Sequence, residues 1–219
     1  MSNPNASEVV DDTVLATSSR QPVERRSLGA VYTPDTLAEW AAGLLTEFSG
    51  PDIRRVLDPA CGDGALFAAV EQKLPGVQAF IGVDVSEAAT TEVLRRFGAK
   101  ARTLTTDALY IQSDSMPRVD AVIMNPPWGA DLAQGSDELR RLGYELAVGQ
   151  YDSWDLFVEW SVKTVLPGTR VVAILPDAIF LPEHARTRKL LLERTRIDLV
   201  ARLGEGWFEG VYRGVAVIA

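Results

Sequence analysis

The chain has 219 residues, a length that favours one domain with appendages over a multidomain protein. Hydrophobic residues make up 47% and charged residues 24%, as in ordinary globular proteins, and no apolar run reaches the roughly 18 residues of a membrane span. The 22 basic and 30 acidic residues give a net charge of -8, so bulk charge does not recommend a nucleic-acid partner.

The counts of cysteine and histidine and the composition of the N-terminus exclude several further classes of protein. With one cysteine, Cys61, and one histidine, His184, the chain can form neither an internal disulfide nor a Cys/His zinc site, so no metal is expected. The N-terminus lacks the plan of a signal peptide, which predicts a cytoplasmic protein without membrane association. His184 lies in a polar stretch and is predicted to be a surface residue. The basic cluster at 186–196 is equally typical of a solvated helix face and of a phosphate-binding surface.

Residues 1–27 are rich in Ser, Asn, Asp, Thr and Arg without sustained periodicity, which predicts a disordered leader ahead of one folded domain over 28–219. An amphipathic helix should follow Tyr-Thr-Pro at 32–34, with Thr33 as its N-cap and Pro34 as its first residue. Further helices are predicted at 65–74, 87–97, 154–165 and about 184–194. Strands are predicted at 56–57, 79–83, 102–105, 120–124, 170–175, 199–203 and 215–218. This alternation predicts an α/β fold whose seven-stranded, mostly parallel sheet carries helices on both faces and binds ligands at the carboxyl ends of its strands.

The first predicted strand runs into a glycine turn, Asp-Pro-Ala-Cys-Gly-Asp-Gly at positions 58–64. Glycines at such a turn let the backbone approach a ligand closely. The third glycine of a dinucleotide fingerprint is absent, and Asp58 and Asp63 would repel a phosphate. The turn therefore favours a ligand with cationic groups, although by itself it is equally typical of a plain strand-helix turn.

Two more acids follow the next two strands. Asp84 ends the second strand about 20 residues beyond Gly64, where a carboxylate can accept hydrogen bonds from both hydroxyls of a ribose. Asp107 follows the third strand, where it can accept a hydrogen bond from the exocyclic amine of a purine. Either acid alone is typical of a solvated strand end. Together with Asp58 they predict a nucleoside site.

The fourth strand ends in Asn-Pro-Pro-Trp at positions 125–128. Pro126 and Pro127 fix the backbone and remove two N–H donors, so that carbonyl groups are left to face the cleft. The Asn125 amide and the Pro126 carbonyl then offer two rigidly held acceptors, with the indole of Trp128 beside them. This pattern favours a catalytic site over a proline-rich turn around a buried tryptophan.

These motifs resemble those of S-adenosylmethionine-dependent amino-methyltransferases, whose catalytic motif is (Asn/Asp)-Pro-Pro-aromatic. Gly-Ala-Val-Tyr-Thr-Pro at 29–34 resembles the opening motif of the gamma class of DNA adenine-N6 methyltransferases. Asp-Leu-Phe at 155–157 resembles their helix-opening motif, and the segments 204–208 and 215–218 resemble the hairpin that carries an aromatic residue for the target base. The resemblance implies a Rossmann-like methyltransferase catalytic domain over 28–219, without the C-terminal target-recognition region of family members.

The resemblance also implies a role for each matching residue. The residues implied to bind S-adenosylmethionine are Tyr32, Thr33, Asp58, Ala60, Gly62, Gly64, Asp84, Asp107 and Asn125. Within this set the methionine end is assigned to Thr33, Asp58 and Ala60, the ribose to Asp84, and the adenine amine to Asp107. The residues implied to be catalytic are Asn125, Pro126, Pro127 and Trp128. Trp128 and Phe208 are implied to stack on the two faces of the target base.

The implied function is methyl transfer to the exocyclic N6 of an adenine flipped out of DNA, as the catalytic part of a restriction-modification or phage-defence system. Given the net charge of -8, this chain alone is expected to bind DNA weakly and without sequence preference, so a specificity subunit or a downstream recognition domain is the expected partner. Three alternatives stay open: a release-factor glutamine methyltransferase, an RNA adenine methyltransferase, and a catalytically idle methyltransferase-fold subunit.

Overall fold

The structure, a computed structural model, describes residues 33–49, 52–208 and 213–219. The predicted leader and Tyr32 lie outside these ranges. One sheet contains seven strands: β1 (Arg55–Asp58), β2 (Ala79–Asp84), β3 (Ala101–Thr105), β4 (Ala121–Met124), β5 (Arg170–Pro176), β6 (Val200–Gly204) and β7 (Val215–Ile218). Their order is β3-β2-β1-β4-β5-β7-β6. Neighbours among β1 to β5 are parallel, whereas β7 runs antiparallel to β5 and β6. The predicted seven-stranded, mostly parallel sheet is confirmed.

Six α-helices surround the sheet: α1 (Asp35–Ser49), α2 (Ala65–Lys73), α3 (Glu87–Phe97), α4 (Ser136–Arg141), α5 (Ser153–Thr164) and α6 (Ala185–Arg194), counted over the described residues. From β1, near the centre of the sheet, the chain adds β2 and then β3 toward one side edge. From β4, which lies beside β1, it adds β5 toward the opposite side edge. Because such crossovers are right-handed, α2 and α3 cover one face and α5 covers the opposite face. The predicted covering of both faces is confirmed.

Two helices differ from the sequence prediction. The α1 helix begins at Asp35, one residue late, because the carbonyl of Pro34 already accepts the first helical bond from the Ala38 amide at 2.9 Å. The α4 helix was not predicted, since its six residues bury only Leu139 and so show no apolar periodicity. None of the helices in the described ranges has the length and apolar character needed to cross a membrane.

An aromatic cluster anchors the first crossover against the sheet. The rings of Phe67 on α2 and Phe80 on β2 lie 4.9 Å apart, and Phe97 at the end of α3 lies 5.0 Å from Phe80. Gly64, which precedes α2, has a φ of +82°, and a Cβ there would lie 2.7 Å from the Phe97 ring. Only glycine fits this position, so the packing of the crossover fixes where the glycine turn ends.

Each side chain of the predicted basic cluster at 186–196 has a partner within the fold. Arg186 and Arg188 donate to backbone carbonyls of other segments. Lys189, Arg194 and Arg196 pair with Glu193, Glu145 and Asp198. Of the two interpretations of this cluster, the structure favours the solvated helix face over the phosphate-binding surface.

Candidate active site

The carboxyl ends of the parallel strands bring the predicted site residues to one edge of the sheet. Asp58 of β1 is in register with Gly82 of β2, and Asp84 is in register with Thr105 of β3. β4 pairs with β1 on the other side, so its final residue leads directly into Asn125. The acids and the asparagine come from separate parts of the chain, and only the sheet places them together.

The glycine turn is joined to the second strand by hydrogen bonds. The Cys61 amide donates to the Val83 carbonyl at 2.9 Å, and the Gly62 amide donates to Oδ2 of Asp84 at 2.9 Å. Oδ1 of Asp84 accepts from the Ser86 amide at 2.8 Å. Each oxygen of Asp84 therefore accepts one backbone N–H and keeps a second lone pair, which a ligand hydroxyl can use.

Asp58 is an acid held away from water. Its side chain is 1% exposed, and Oδ1 accepts from the Ala60 amide at 3.0 Å. Burial raises the pKa of Asp58 to about 8, while the Ala60 bond lowers it and the charge of Asp84 raises it further. Burial likewise raises the pKa of the neighbouring Cys61 thiol, as do the charges of Asp58 and Asp84. Cys61 is therefore a packed residue of the turn and not a nucleophile.

Asp58 should make the protein less stable as the pH rises. Its folded pKa of about 8 lies above the ordinary value of 3.8, so between these values the folded state retains a proton that the unfolded state has released. The stabilisation is complete below the unfolded pKa, and the free energy of unfolding should fall by up to about 1.4 kcal/mol per pH unit as the pH rises through this window. Urea unfolding of the wild type and of Asp58→Asn measures the slope. The free energy of unfolding of the variant should depend less steeply on pH. Identical slopes in the two proteins would contradict a raised pKa of Asp58.

The amide of Asn125 is oriented by the segment that precedes α1. Nδ2 of Asn125 donates to Oγ1 of Thr33 at 3.0 Å, and Thr33 is itself buried. Since the nitrogen faces Thr33, the oxygen Oδ1 is directed away from it. The structure thus places Thr33 against the Asn-Pro-Pro-Trp motif, and its predicted contact with the methionine end of a cofactor stays a prediction.

The start of α5 holds the other end of the motif. Oγ of Ser153 donates to the Pro127 carbonyl at 2.6 Å and accepts from the Ala130 amide at 3.2 Å. Oδ1 of Asp152 accepts from the Gly129 amide at 2.7 Å. This support was not predicted from the sequence, although Asp-Ser before an apolar helix is the signal of a helix start, with side chains that form hydrogen bonds with backbone groups.

Trp128 and Phe208 contact each other at the end of the motif. Their ring centroids lie 5.2 Å apart at an interplanar angle of 87°, with residue exposures of 9% and 5%. Edge-to-face rings leave no slot for a base between them. Stacking of both rings on a target base stays a prediction, and it requires one ring to move.

The Asp107 carboxylate is engaged on both oxygens. Oδ1 accepts from the Leu109 amide at 2.9 Å, and Oδ2 accepts from Nε2 of Gln134 at 2.7 Å. Gln134 lies in the β4–α4 loop, residues 125–135, which begins with the Asn-Pro-Pro-Trp motif. Gln134 was not among the predicted site residues, because a lone glutamine in a loop matches no motif.

Contacts between α5 and α6 correct the prediction for His184. Its side chain is only 11% exposed, Nδ1 lies 2.8 Å from Oδ2 of Asp155, and its ring packs against Trp154 at 4.5 Å. Asp155 also accepts bonds from the Thr187 hydroxyl and the Asp152 amide. The prediction of a surface histidine was wrong, because α6 folds back onto the buried start of α5.

The fold is that of the Rossmann-like, S-adenosylmethionine-dependent methyltransferases. A solved structure from Listeria monocytogenes, assigned to class I of these enzymes, superposes with a TM-score of 0.71 and 26% identity over 85% of this chain and 59% of that chain. The methyltransferase subunit of a type I restriction-modification system from Streptococcus thermophilus superposes with a TM-score of 0.72 over 85% of this chain and 43% of that chain, and at 18% identity it supports the fold alone.

The chain belongs to the N-6 DNA methylase family, whose model matches residues 18–218. A curated relative, the Type II methyltransferase M.TthHB8I of Thermus thermophilus, is 28% identical over 192 residues, which cover 82% of this chain and 42% of the relative. The chain therefore spans less than half the length of that relative. The predicted family is confirmed, and so is the predicted cofactor, S-adenosylmethionine.

Proposed function

We propose that the protein transfers the methyl group of S-adenosylmethionine to the exocyclic N6 of an adenine flipped out of DNA, as the catalytic part of a restriction-modification or phage-defence system. One observation carries the proposal: Thr33 holds the Asn125 amide beside the rigid Pro126–Pro127 backbone, at the sheet edge that also carries Asp58 and Asp84. Membership of the N-6 DNA methylase family supports adenine N6 as the acceptor.

The acids along the edge fit the three polar parts of the cofactor. A cationic ammonium beside the buried Asp58 would favour its ionised form and offset the burial that raises its pKa. The second lone pairs of the Asp84 oxygens suit the two hydroxyls of a ribose. Asp107 lies two residues beyond the register partner of Asp84, and it would accept a hydrogen bond from the adenine amine. When bound, the cofactor supplies an already activated methyl group.

The residues of the catalytic motif would act by placement and electrostatics. The lone pair of an adenine amine is delocalised into the ring, which makes the nitrogen a poor nucleophile. Hydrogen bonds from its two N–H groups to Oδ1 of Asn125 and to the Pro126 carbonyl favour a pyramidal nitrogen whose lone pair is localised. The new N–CH3 bond would replace the S–CH3 bond and leave S-adenosylhomocysteine, and the methylated nitrogen, then cationic and acidic, would lose its extra proton to water. No strong general base is therefore needed.

Oδ1 of Asn125 and the Pro126 carbonyl together form the Asn125 cradle. The hydrogen bonds of Ser153 and Asp152 would keep this cradle rigid. They fix the Pro127 carbonyl and the Gly129 amide, one on each side of Trp128. A fixed backbone keeps the Pro126 carbonyl at the distance and angle that an N–H donor requires. The α5 helix is therefore proposed to support the site without touching the reacting atoms.

Trp128→Ala should weaken binding of the flipped base by about tenfold or more, since base-aromatic stacking is worth about 1 to 3 kcal/mol. The measurement is fluorescence quenching of a single-stranded oligonucleotide that contains one 2-aminopurine. Trp40→Ala is the matched control, because Trp40 is an exposed tryptophan on α1. Equal quenching by all three proteins would remove Trp128 from the base site.

DNA and a second component are the proposed partners. The net charge of -8 predicts weak phosphate binding, so sequence-specific contacts are assigned to a specificity subunit or a downstream recognition domain. Such an enzyme is proposed to work in the cytoplasm, in the same compartment as its DNA substrate. With duplex DNA, 2-aminopurine fluorescence should rise only when that component is present. Tight, sequence-specific duplex binding by this chain alone would contradict the assignment.

The substrate is tested by a direct comparison. The protein is incubated with labelled S-adenosylmethionine and DNA, RNA or a peptide-chain release factor. The proposal predicts label in DNA. Label confined to RNA or to release-factor glutamine would replace the proposal with one of those activities. Cofactor binding without transfer to any substrate would favour a catalytically idle subunit.

A further inference from the structure

The β4–α4 loop buries one amide against the edge of the sheet. Gln134 is 4% exposed, and its Nε2 donates to Oδ2 of Asp107 at 2.7 Å. Its other polar atom, Oε1, is buried and has no hydrogen-bond partner among the described residues. Buried acceptors are nearly always paired in folded proteins, so a buried amide oxygen left unpaired calls for an explanation.

The contact with Asp107 settles which atom of the amide is the unpaired one. A carboxylate only accepts hydrogen bonds, so the amide nitrogen must face Asp107, and the opposite orientation would set two acceptors against each other. Oδ1 of Asp107 is fixed by the Leu109 amide, and the Leu109 carbonyl in turn accepts from the Tyr144 hydroxyl at 2.8 Å. The amide oxygen is thus held beside a fixed carboxylate at the carboxyl end of β3.

We propose that Oε1 of Gln134 accepts a hydrogen bond from the exocyclic amine of the cofactor's adenine, next to the bond that Asp107 accepts. This inference rests on the proposed placement of the adenine at Asp107. An amine carries two N–H donors, and the site offers one acceptor for each. A purine with a keto oxygen at this position would face two acceptors and lose both bonds. Gln134 is therefore a specificity-determining residue for the adenine nucleoside.

The test compares S-adenosylhomocysteine with S-inosylhomocysteine, in which a keto oxygen replaces the amine. Calorimetry should show that the wild type prefers the adenosyl compound by about 100-fold or more, because the keto compound leaves buried groups unpaired. Gln134→Met should lose about tenfold in affinity for the adenosyl compound, the value of one hydrogen bond, and keep its affinity for the inosyl compound. Gln112→Met, a change at an exposed glutamine in the loop after β3, should behave as the wild type.

The ratio of the two affinities separates recognition from structural damage. If Gln134 only supports the loop, Gln134→Met weakens both compounds equally, and an unchanged ratio overturns the inference while leaving the proposed function standing. If the wild type does not bind S-adenosylhomocysteine, the placement of the cofactor fails and the inference fails with it.

A measurement on the wild-type protein covers the case in which Gln134→Met does not fold. The side-chain amide resonance of Gln134, assigned by NMR in ¹⁵N-labelled protein, should shift when the adenosyl compound is added at saturation. It should stay in place, or shift differently, with saturating inosyl compound. Identical shifts with both compounds would overturn the inference.

Discussion

Asn125→Ala should reduce the rate of methyl transfer by about 10² to 10³-fold and leave cofactor affinity within a few fold. The reason is that the Asn125 oxygen is proposed to contact the target amine, in an interaction that is strongest when charge develops on the nitrogen. The amide nitrogen of Asn125 donates a hydrogen bond to Thr33, which holds the amide in one orientation. The substitution therefore removes an acceptor that is already oriented.

Single-turnover methyl transfer and calorimetric titration of S-adenosylhomocysteine measure the two quantities separately. Thr33→Val is the matched control, because it removes the hydroxyl that orients the amide but keeps Oδ1. Its rate should fall less than that of Asn125→Ala. Comparable turnover by Asn125→Ala and the wild type would refute the mechanism, and a large loss of cofactor affinity would place Asn125 in the cofactor site alone.

Asp84→Ala should weaken cofactor binding by at least about 100-fold, because two hydrogen bonds to a charged acceptor are lost together. Asp84 also accepts the backbone N–H groups of Gly62 and Ser86, so the variant needs a control for local damage. Asp120→Ala supplies this control. Oδ2 of Asp120 accepts the Arg54 and Arg55 amides at 2.9 and 2.8 Å, but at the amino end of β4.

Calorimetric titration of S-adenosylhomocysteine into both variants separates the ribose contact from loss of backbone support. Asp120→Ala should bind the compound as the wild type does, even if its stability falls. Equal binding by Asp84→Ala and the wild type would remove Asp84 from the ribose site. Parallel losses in the two variants would attribute the effect to disruption of the sheet.

The sheet could be predicted because its information is local. Apolar runs such as 121–124 alternate with segments of helical spacing. This alternation predicts parallel strands, whose carboxyl ends share one edge of the sheet. The same logic predicts that Asp58, Asp84 and Asn125 lie at one edge of the sheet. Strand ends and short motifs are the parts of a site that a single sequence reveals.

The remainder of the site depends on contacts between distant segments. Gln134 is identified only because its loop returns to Asp107, and Ser153 only because α5 starts beside the catalytic motif. The direct packing of Trp128 against Phe208 joins positions far apart in the chain, so no periodicity in the sequence predicts it. His184 was assigned to the surface from its polar neighbours, whereas tertiary packing buries it beside Asp155.

The central claim is that the Asn125 cradle presents an adenine amine to the cofactor, and identification of the methylated atom tests it most directly. DNA is incubated with the protein and S-adenosylmethionine that carries an isotope-labelled methyl group, digested to nucleosides, and analysed by mass spectrometry. The account predicts label in N6-methyldeoxyadenosine with the wild type and its loss with Asn125→Ala. Label on cytosine, or label on adenine that persists in Asn125→Ala, would contradict it.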